Sequence, residues 1–197
     1  MYYIVGDIHG EYCKLLKMME LIEENISNDD KIIFLGDYID RGEDSYNVIE
    51  HLTEISVKYN SCFLKGNHED MFLNYYTTGR GYELYLRNGG MATILSYTRE
   101  SGEMNLPEKH KKFFNSLKLF YEGEDFIAVH AGLNPYAGGP DKQKKDDMLW
   151  IREDFFLADF RWDKTIIFGH TPTPLLNNSD RVYYDDRRNI IGIDTGA

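Results

Sequence analysis

The sequence predicts an α/β fold. Three observations carry that reading. Short apolar runs alternate with amphipathic helical segments through the first part of the chain, strand-like runs dominate its last third, and several of these runs end in glycine followed by Asp, Asn or His. Strand–helix alternation means βαβ units and a parallel sheet. Residues 2–5 are apolar and stop at Gly6, the pattern of a buried strand. Residues 11–24 carry Leu15, Met18, Met19 and Ile22 at helical spacing, and residues 32–35 form the second strand. Residues 45–59 form a second helix with Val48, Ile49, Leu52 and Ile55 on one face. A third strand at 62–64 leads into a helix at 69–76. Residues 82–117 read as mostly helical, broken at Gly89-Gly90 and at Pro107. Strands follow at 118–121, 126–129, 165–168, 182–184 and 190–193. The stretch 134–147, bearing glycines and prolines, reads as a long exposed loop, and loops of that length are usually functional or disordered.

A chain of 197 residues suits one domain spanning 1–197, and 42% hydrophobic with 28% charged residues is ordinary for a soluble globular protein. A formal net charge of −11 argues against general affinity for nucleic-acid backbones, and an anionic ligand would need a locally positive site. No apolar run approaches the roughly 18 residues of a membrane span, so no membrane partner is expected. The opening Met-Tyr-Tyr-Ile-Val-Gly lacks a basic segment before an apolar one, so no signal peptide is expected. Cys13 and Cys62 have no metal-type spacing and read as free thiols, consistent with a cytoplasmic chain.

The chemistry sits where strands end. Gly6-Asp7, Gly36-Asp37, Gly66-Asn67 and Gly169-His170 each follow an apolar run, and a fifth run ends at His130. Ligands of open α/β sheets bind beyond the carboxyl ends of the strands, and glycine there permits a sharp turn and close approach. Asp7, Asp37, Asn67, His130 and His170 are therefore expected to converge, with His9 two residues past Asp7. Taken singly, an Asp after a strand is a turn former; the fourfold recurrence points to a site. Three imidazoles, two carboxylates and one amide, without thiolate, suit manganese, iron, zinc or cobalt. Six ligands exceed what one catalytic metal with an open position uses. They suit two metals sharing a carboxylate, the arrangement that clamps an in-line phosphoryl displacement.

The motifs Gly6-Asp7-Ile8-His9-Gly10, Gly36-Asp37-Tyr38-Ile39-Asp40-Arg41-Gly42 and Gly66-Asn67-His68-Glu69 resemble the three signatures of the phosphoprotein phosphatase family of metallophosphoesterases. His130-Ala131-Gly132 and Gly169-His170-Thr171-Pro172 match its later histidine motifs, and Trp150-Ile151-Arg152-Glu153 and Asp194-Thr195-Gly196-Ala197 complete the pattern. The length and the Asn88-Gly89-Gly90 segment are most similar to the bacteriophage-lambda-type and bacterial serine/threonine phosphatases. The resemblance implies a four-layer sandwich, two mixed β-sheets packed face to face with flanking helices. It implies that Asp7, His9 and Asp37 hold a first metal and that Asp37, Asn67, His130 and His170 hold a second. It further implies that Asp40 and His68 form an acid pair, that Arg41, Arg152 and Asn67 bind the substrate phosphate, and that two divalent ions serve as cofactors, manganese foremost, with iron, zinc, cobalt or nickel as alternatives. Relatives run on through another strand past the position of Ala197, so the edge of the second sheet is the part of the pattern this sequence does not supply.

The expected reaction is hydrolysis of a phosphate monoester by direct attack of a metal-activated hydroxide, without a covalent enzyme intermediate. The expected partners are a phosphorylated protein or a small phosphoester. Three functions are in contention. The first is a serine/threonine, and also tyrosine, protein phosphatase. The second is a symmetrical dinucleoside tetraphosphate hydrolase or other small-molecule phosphatase. The third is an inactive binding module. Related tetraphosphatases tend to lack the residue equivalent to Asp40 and to carry Asp at the position of Glu69, which favours the phosphatase; the full set of motif residues disfavours the inactive module. His51 and His110 fall outside every motif and read as surface or packing residues. Arg187 and Arg188 read as local charge partners of Asp185 and Asp186, and Lys142, Lys144 and Lys145 as a solvated loop face.

Overall fold

Among residues 1–196, which the computed structural model describes, eight strands form two sheets. Ala197, the last residue of the Asp194-Thr195-Gly196-Ala197 motif, lies outside the described residues. The first sheet has the order β1 (Tyr2–Val5), β2 (Lys31–Phe34), β3 (Ser61–Phe63), all parallel. Helices α1 (Tyr12–Glu23) and α2 (Ser45–Lys58) make its crossovers. The second sheet contains β4 (Phe120–Glu122), β5 (Phe126–Val129), β6 (Thr165–Phe168), β7 (Tyr183–Asp185) and β8 (Ile190–Gly192) in the order β4-β5-β6-β8-β7. Its three central strands are parallel and its two edges antiparallel. The second sheet is mixed, as expected. The first is not, because each of its strands is reached through a helix, which returns the chain in the same direction.

Side-chain alternation along the strands builds the layers. Ile32 and Phe34 face one way and join the largest apolar cluster, with Leu15, Leu52 and Phe114 of the covering helices. Ile33 and Leu35 face the other way and meet Ala128 of the second sheet, with Cys62 and Leu64. On the far side of the second sheet, Ile127, Val129, Ile166 and Phe168 pack on Leu133, Met148 and Phe155. The sequence of layers is helix, sheet, sheet, then short helices and loops: α7 (Lys145–Trp150), α8 (Glu153–Phe156) and α9 (Thr173–Asn177).

Between the sheets' contributions the chain forms α3 (Asn67–Thr78), α4 (Tyr82–Arg87), α5 (Gly90–Ser101) and α6 (Glu108–Ser116), with the expected breaks at Gly89-Gly90 and Pro107. α3 starts two residues earlier than its periodicity predicts, because Glu69 reaches back to accept the Gly66 N–H at 2.9 Å and caps the helix there. Lys118 pairs as a single bridge with Leu64 beside the first sheet, so β4 begins only at Phe120. The stretch 134–147 is not loop throughout. A 3₁₀ turn at Pro140–Lys142 and the start of α7 at Lys145 lie within it. Pro140 is pre-set for the first helical position, and Asp146 and Asp147 suit the first turn of α7. Gln143 ties the stretch together, accepting the Asn134 N–H at 2.7 Å and donating to the Asn134 and Gly138 carbonyls. Among the described residues no helix is long and apolar enough to cross a membrane. Cys13 is exposed and Cys62 buried, both free.

Candidate metal centre

In-register pairing places Val5, Phe34 and Phe63 side by side at the end of the first sheet, and Val129 and Phe168 side by side in the second. The residues that follow therefore emerge at one edge of the sandwich. Asp7, Asp37 and Asn67 come from the first sheet, His130 and His170 from the second. The turns that deliver them are strained. Among the described residues seven non-glycine residues have positive φ, and five belong to this region: His9 (46°), Asp37 (52°), Asp40 (72°), Arg41 (65°) and His170 (60°). Each such residue costs of order 1–3 kcal/mol, and such strain concentrates at functional sites. Two glycines permit the close approach. A Cβ at Gly66 would collide with the Asp37 carboxylate, and one at Gly169 with that of Asp7.

Asp37 lies at the centre of the cluster. Its oxygens are 3.5 Å from His130 Nε2, 3.6 Å from His9 Nε2 and 3.9 Å from His68 Nε2. His9 Nε2 is 4.0 Å from the Asp7 carboxylate, and His130 Nε2 is 2.9 Å from Asn67 Oδ1. His9 and His130 each direct Nδ1 at a backbone carbonyl, Ile39 at 3.1 Å and Leu35 at 3.0 Å, which leaves Nε2 facing the cluster. The His170 ring lies edge-on to that of His130, 5.0 Å between centroids, and its buried Nε2 has no hydrogen-bond partner. Its N–H donates to both Asp7 oxygens at 3.2 Å, and the His68 N–H to Asp37 Oδ1 at 3.0 Å.

Burial dominates the electrostatics. It pushes the Asp7 carboxyl well above the usual range, helped by the charge of nearby Asp194, and that of Asp37 likewise, helped by Asp7 and Glu69. Burial also lowers the imidazoles, His9 and His130 to about 3 and His170 to about 2. The imidazoles are thus neutral donors of lone pairs, and Arg41, whose charge favours ionisation of both buried carboxyls, does not outweigh their burial. Two triads of donor atoms, His9–Asp37–His68 and Asp37–His130–His170, each lie within 4.8 Å and share Asp37. The unpartnered His170 Nε2, the neutral imidazoles and two carboxylates whose charge the chain offsets only in part fit divalent cations of nitrogen and oxygen preference. The first triad contains His68 and not Asp7, a difference from the grouping implied by the resemblance.

His68 also donates from Nδ1 to Asp40 Oδ2 at 2.7 Å, and its Nε2 accepts from Arg41 at 3.1 Å. Burial raises Asp40 to about 7, against the hydroxyls of Thr93 and Tyr85, and lowers His68 to about 3 together with Arg41. Arg152 reaches the same edge, donating to Thr171 Oγ1 and the His170 carbonyl, both at 3.3 Å. Every residue expected from the motifs lies in or beside this cluster. Sequence reasoning missed how three residues shape it. Glu69 accepts the N–H groups of Asp37 and Tyr38 at 2.8 Å as well as that of Gly66, cinching two loops; its spacing of three from Gly66 is a capping signal legible in the sequence. Tyr85 and Thr93 both donate to Asp40, and no local pattern marks either.

Residues 2–191 match the family described as calcineurin-like phosphoesterase. The chain is 32% identical over 136 residues to the serine/threonine-protein phosphatase 2B catalytic subunit A2 of Saccharomyces cerevisiae. That alignment covers 67% of this chain but only 20% of the yeast subunit, so the chain spans about a fifth of that relative's length. It is 25% identical over 224 residues to the asymmetrical bis(5'-nucleosyl)-tetraphosphatase PrpE of Anoxybacillus flavithermus, covering 100% of this chain and 85% of that one. A solved structure of a cold-active protein tyrosine phosphatase shares the fold, with a TM-score of 0.68 at 18% identity over 99% of this chain and 71% of that one. The family match runs from the first strand into the last, across every strand-end motif, and the chain belongs to the calcineurin-like phosphoesterases, hydrolases that work with divalent metal ions.

Proposed function

We propose that this chain hydrolyses phosphate monoesters with two divalent ions, manganese foremost, and that its substrates are proteins phosphorylated on serine or threonine. The observation that carries the substrate class is the fully buried Asp40–His68 pair, joined at 2.7 Å beside the Asp37 cluster. A serine alkoxide is strongly basic and needs a proton to depart. The phosphate released from a dinucleoside polyphosphate is a far weaker base and needs one less. A built proton donor therefore favours the monoester.

In this reading Asp7, His9 and Asp37 hold one ion and Asp37, Asn67, His130 and His170 the other, with Asp37 common to both. Bound divalent cations neutralise phosphate charge and lower the pKa of coordinated water. The chain's own residues do the rest. Arg41 and Arg152 grip non-bridging oxygens, with Asn67 assisting. Asp40 fixes the His68 tautomer, so that Nε2 faces the leaving oxygen. Arg41 meets Nε2 at 3.1 Å without substrate. When its guanidinium turns onto the phosphate, it frees Nε2 to take up a proton from water, and the imidazole, with Nδ1–H held by Asp40, would pass that Nε2 proton to the leaving oxygen.

The second reading is a nucleotide substrate. It is favoured by the full-length similarity to the Anoxybacillus flavithermus tetraphosphatase, whose described cleavage is asymmetrical rather than the symmetrical one considered from the sequence. Parallel metal-dependent assays with a phosphoserine peptide, diadenosine tetraphosphate and p-nitrophenyl phosphate decide between them. A higher kcat/KM for the peptide than for the tetraphosphate is expected, and the reverse order overturns the protein-phosphatase reading. His68→Asn should lower peptide turnover by about 10²–10⁴-fold, the usual worth of general-acid catalysis, and p-nitrophenyl phosphate turnover far less.

A further inference from the structure

We propose that Tyr85 and Thr93, which lie in no motif, are positioning residues for the proton transfer, holding Asp40 so that His68 stays aimed at the leaving group. The inference rests on the reading of Asp40 and His68 as the acid pair. Both residues come from the helical segment around Gly89-Gly90, Tyr85 from α4 and Thr93 from α5, 45 and 53 residues beyond Asp40.

Their hydrogen bonds have a division of labour. Tyr85 donates its hydroxyl to Asp40 Oδ1 at 2.7 Å and Thr93 donates to the same oxygen at 2.6 Å. Oδ2 is left for the His68 Nδ1–H. Thr93 grips the residue at both ends, since its hydroxyl oxygen also accepts the Asp40 N–H at 2.9 Å. Ser45 Oγ shares that N–H at 3.1 Å and stands 3.0 Å from the Thr93 hydroxyl. Asp40, His68, Ser45, Tyr85 and Thr93 are all fully buried, so no water competes for these bonds. Asp40 has a left-handed backbone, φ 72°, which a single misplaced contact would let relax.

The consequence is geometric. Two donors on Oδ1 stop rotation of the carboxylate, so that Oδ2 cannot leave Nδ1. They also keep the carboxylate an acceptor for Nδ1–H, so the proton to be transferred has to sit on Nε2, the nitrogen left toward the site. The Tyr85 ring is itself fixed, stacked on Tyr75 of α3 at 5.5 Å and 23°. α3 is the helix that opens with Asn67 and His68, so acid and holder are referenced to one element. The same segment receives the backbone of Arg41, whose N–H donates to the Gly89 carbonyl at 3.2 Å. A purely packing role would need the Tyr85 ring and the Thr93 methyl, not two hydroxyls converging on one oxygen.

The test uses Tyr85→Phe and Thr93→Val, which keep shape and remove the hydroxyls, in the metal-loaded full chain. Turnover of a phosphoserine peptide and of p-nitrophenyl phosphate is measured on one preparation of each variant. The ratio of the two rates does not depend on the fraction of molecules folded. The peptide-to-aryl ratio should fall about tenfold in each variant, the loss of one hydrogen bond to a charged group. In a His68→Asn background neither substitution should change the ratio further, because the donor they position is gone. An unchanged ratio in both single variants, with His68→Asn lowering it, overturns the positioning role alone. A ratio that His68→Asn itself leaves unchanged overturns the acid reading, and this inference with it.

Discussion

Asp37→Asn should make the metal-free protein more stable and the metal-loaded protein less stable than the parent. The Asp37 side chain is 2% exposed, and its two nearest imidazoles, His9 and His130, are lowered to about 3, so they carry no charge near neutral pH. Burial, with Asp7 and Glu69, pushes its carboxyl well above the usual range. A group whose folded pKa is raised opposes folding once the pH exceeds its unfolded value, and at pH 7.5 that penalty is present. Removing the charge should therefore stabilise the metal-free fold. Asparagine keeps the shape, and its carbonyl still accepts the His68 N–H now bonded at 3.0 Å. With metal the order inverts. Saturating one site at a hundred times its dissociation constant adds about 2.7 kcal/mol, and on the proposed assignment the parent would gain that at two sites sharing Asp37. Urea unfolding in EDTA and again in excess manganese reads both arms. If the variant is also less stable than the parent in EDTA, the account of Asp37 as a buried charge that Arg41 offsets only in part is wrong.

Arg41→Ala and Arg152→Ala should each weaken inorganic phosphate binding by roughly tenfold or more while metal content, measured by elemental analysis, stays that of the parent; metal loss in either variant would make that arginine structural. Gly169→Ala should lower metal content and activity together, because the new Cβ meets the Asp7 carboxylate; unchanged stoichiometry would show that the loop yields without cost. The N-terminal ammonium at 2.6 Å and the Ser27 N–H at 2.9 Å hold Asp30 down to about 2. Its contribution to stability is present above the ordinary carboxyl range and is lost as pH falls toward 2, so Asp30→Asn should flatten the acid limb of an unfolding-against-pH curve between about pH 4 and 2. An identical acid limb would count against this pair.

Much of this architecture is legible from apolar runs and what ends them. The strands at Tyr2–Val5, Phe126–Val129 and Thr165–Phe168 match the reading residue for residue, since each is a short apolar run closed by glycine, charge or histidine. The convergence of Asp7, Asp37, Asn67, His130 and His170 follows from strand ends sharing an edge, a property of parallel sheets rather than of any one residue. What escaped the sequence depends on distance along the chain. The hydroxyls on Asp40 arrive from 45 and 53 residues away, and nothing near Tyr85 or Thr93 announces them. His110 read as a bland residue, and it is one: fully buried, it bonds Tyr97 and Glu50 at 2.9 and 3.0 Å, away from the centre. The order in 134–147 was hidden because Gln143, the residue that ties it, has no turn signature.

The seam between the sheets bears on how the protein is made. The layer joining them is thin, built on Ile33, Leu35, Cys62, Leu64 and Ala128, while the donor cluster above it takes residues from both sides. His170 meets Asp7 across 163 residues of chain. A nascent chain emerging from the ribosome exposes Asp7, His9, Asp37 and Asn67 long before His130 and His170 exist to face them. The first sheet and its helices, rich in local crossovers, can collapse early, whereas the donor cluster waits for pairings of high contact order. On the proposed assignment, capture of both ions therefore comes after the last strands have docked, and a fragment released before residue 170 is made carries the early carboxylates and His9 without the full set of imidazoles.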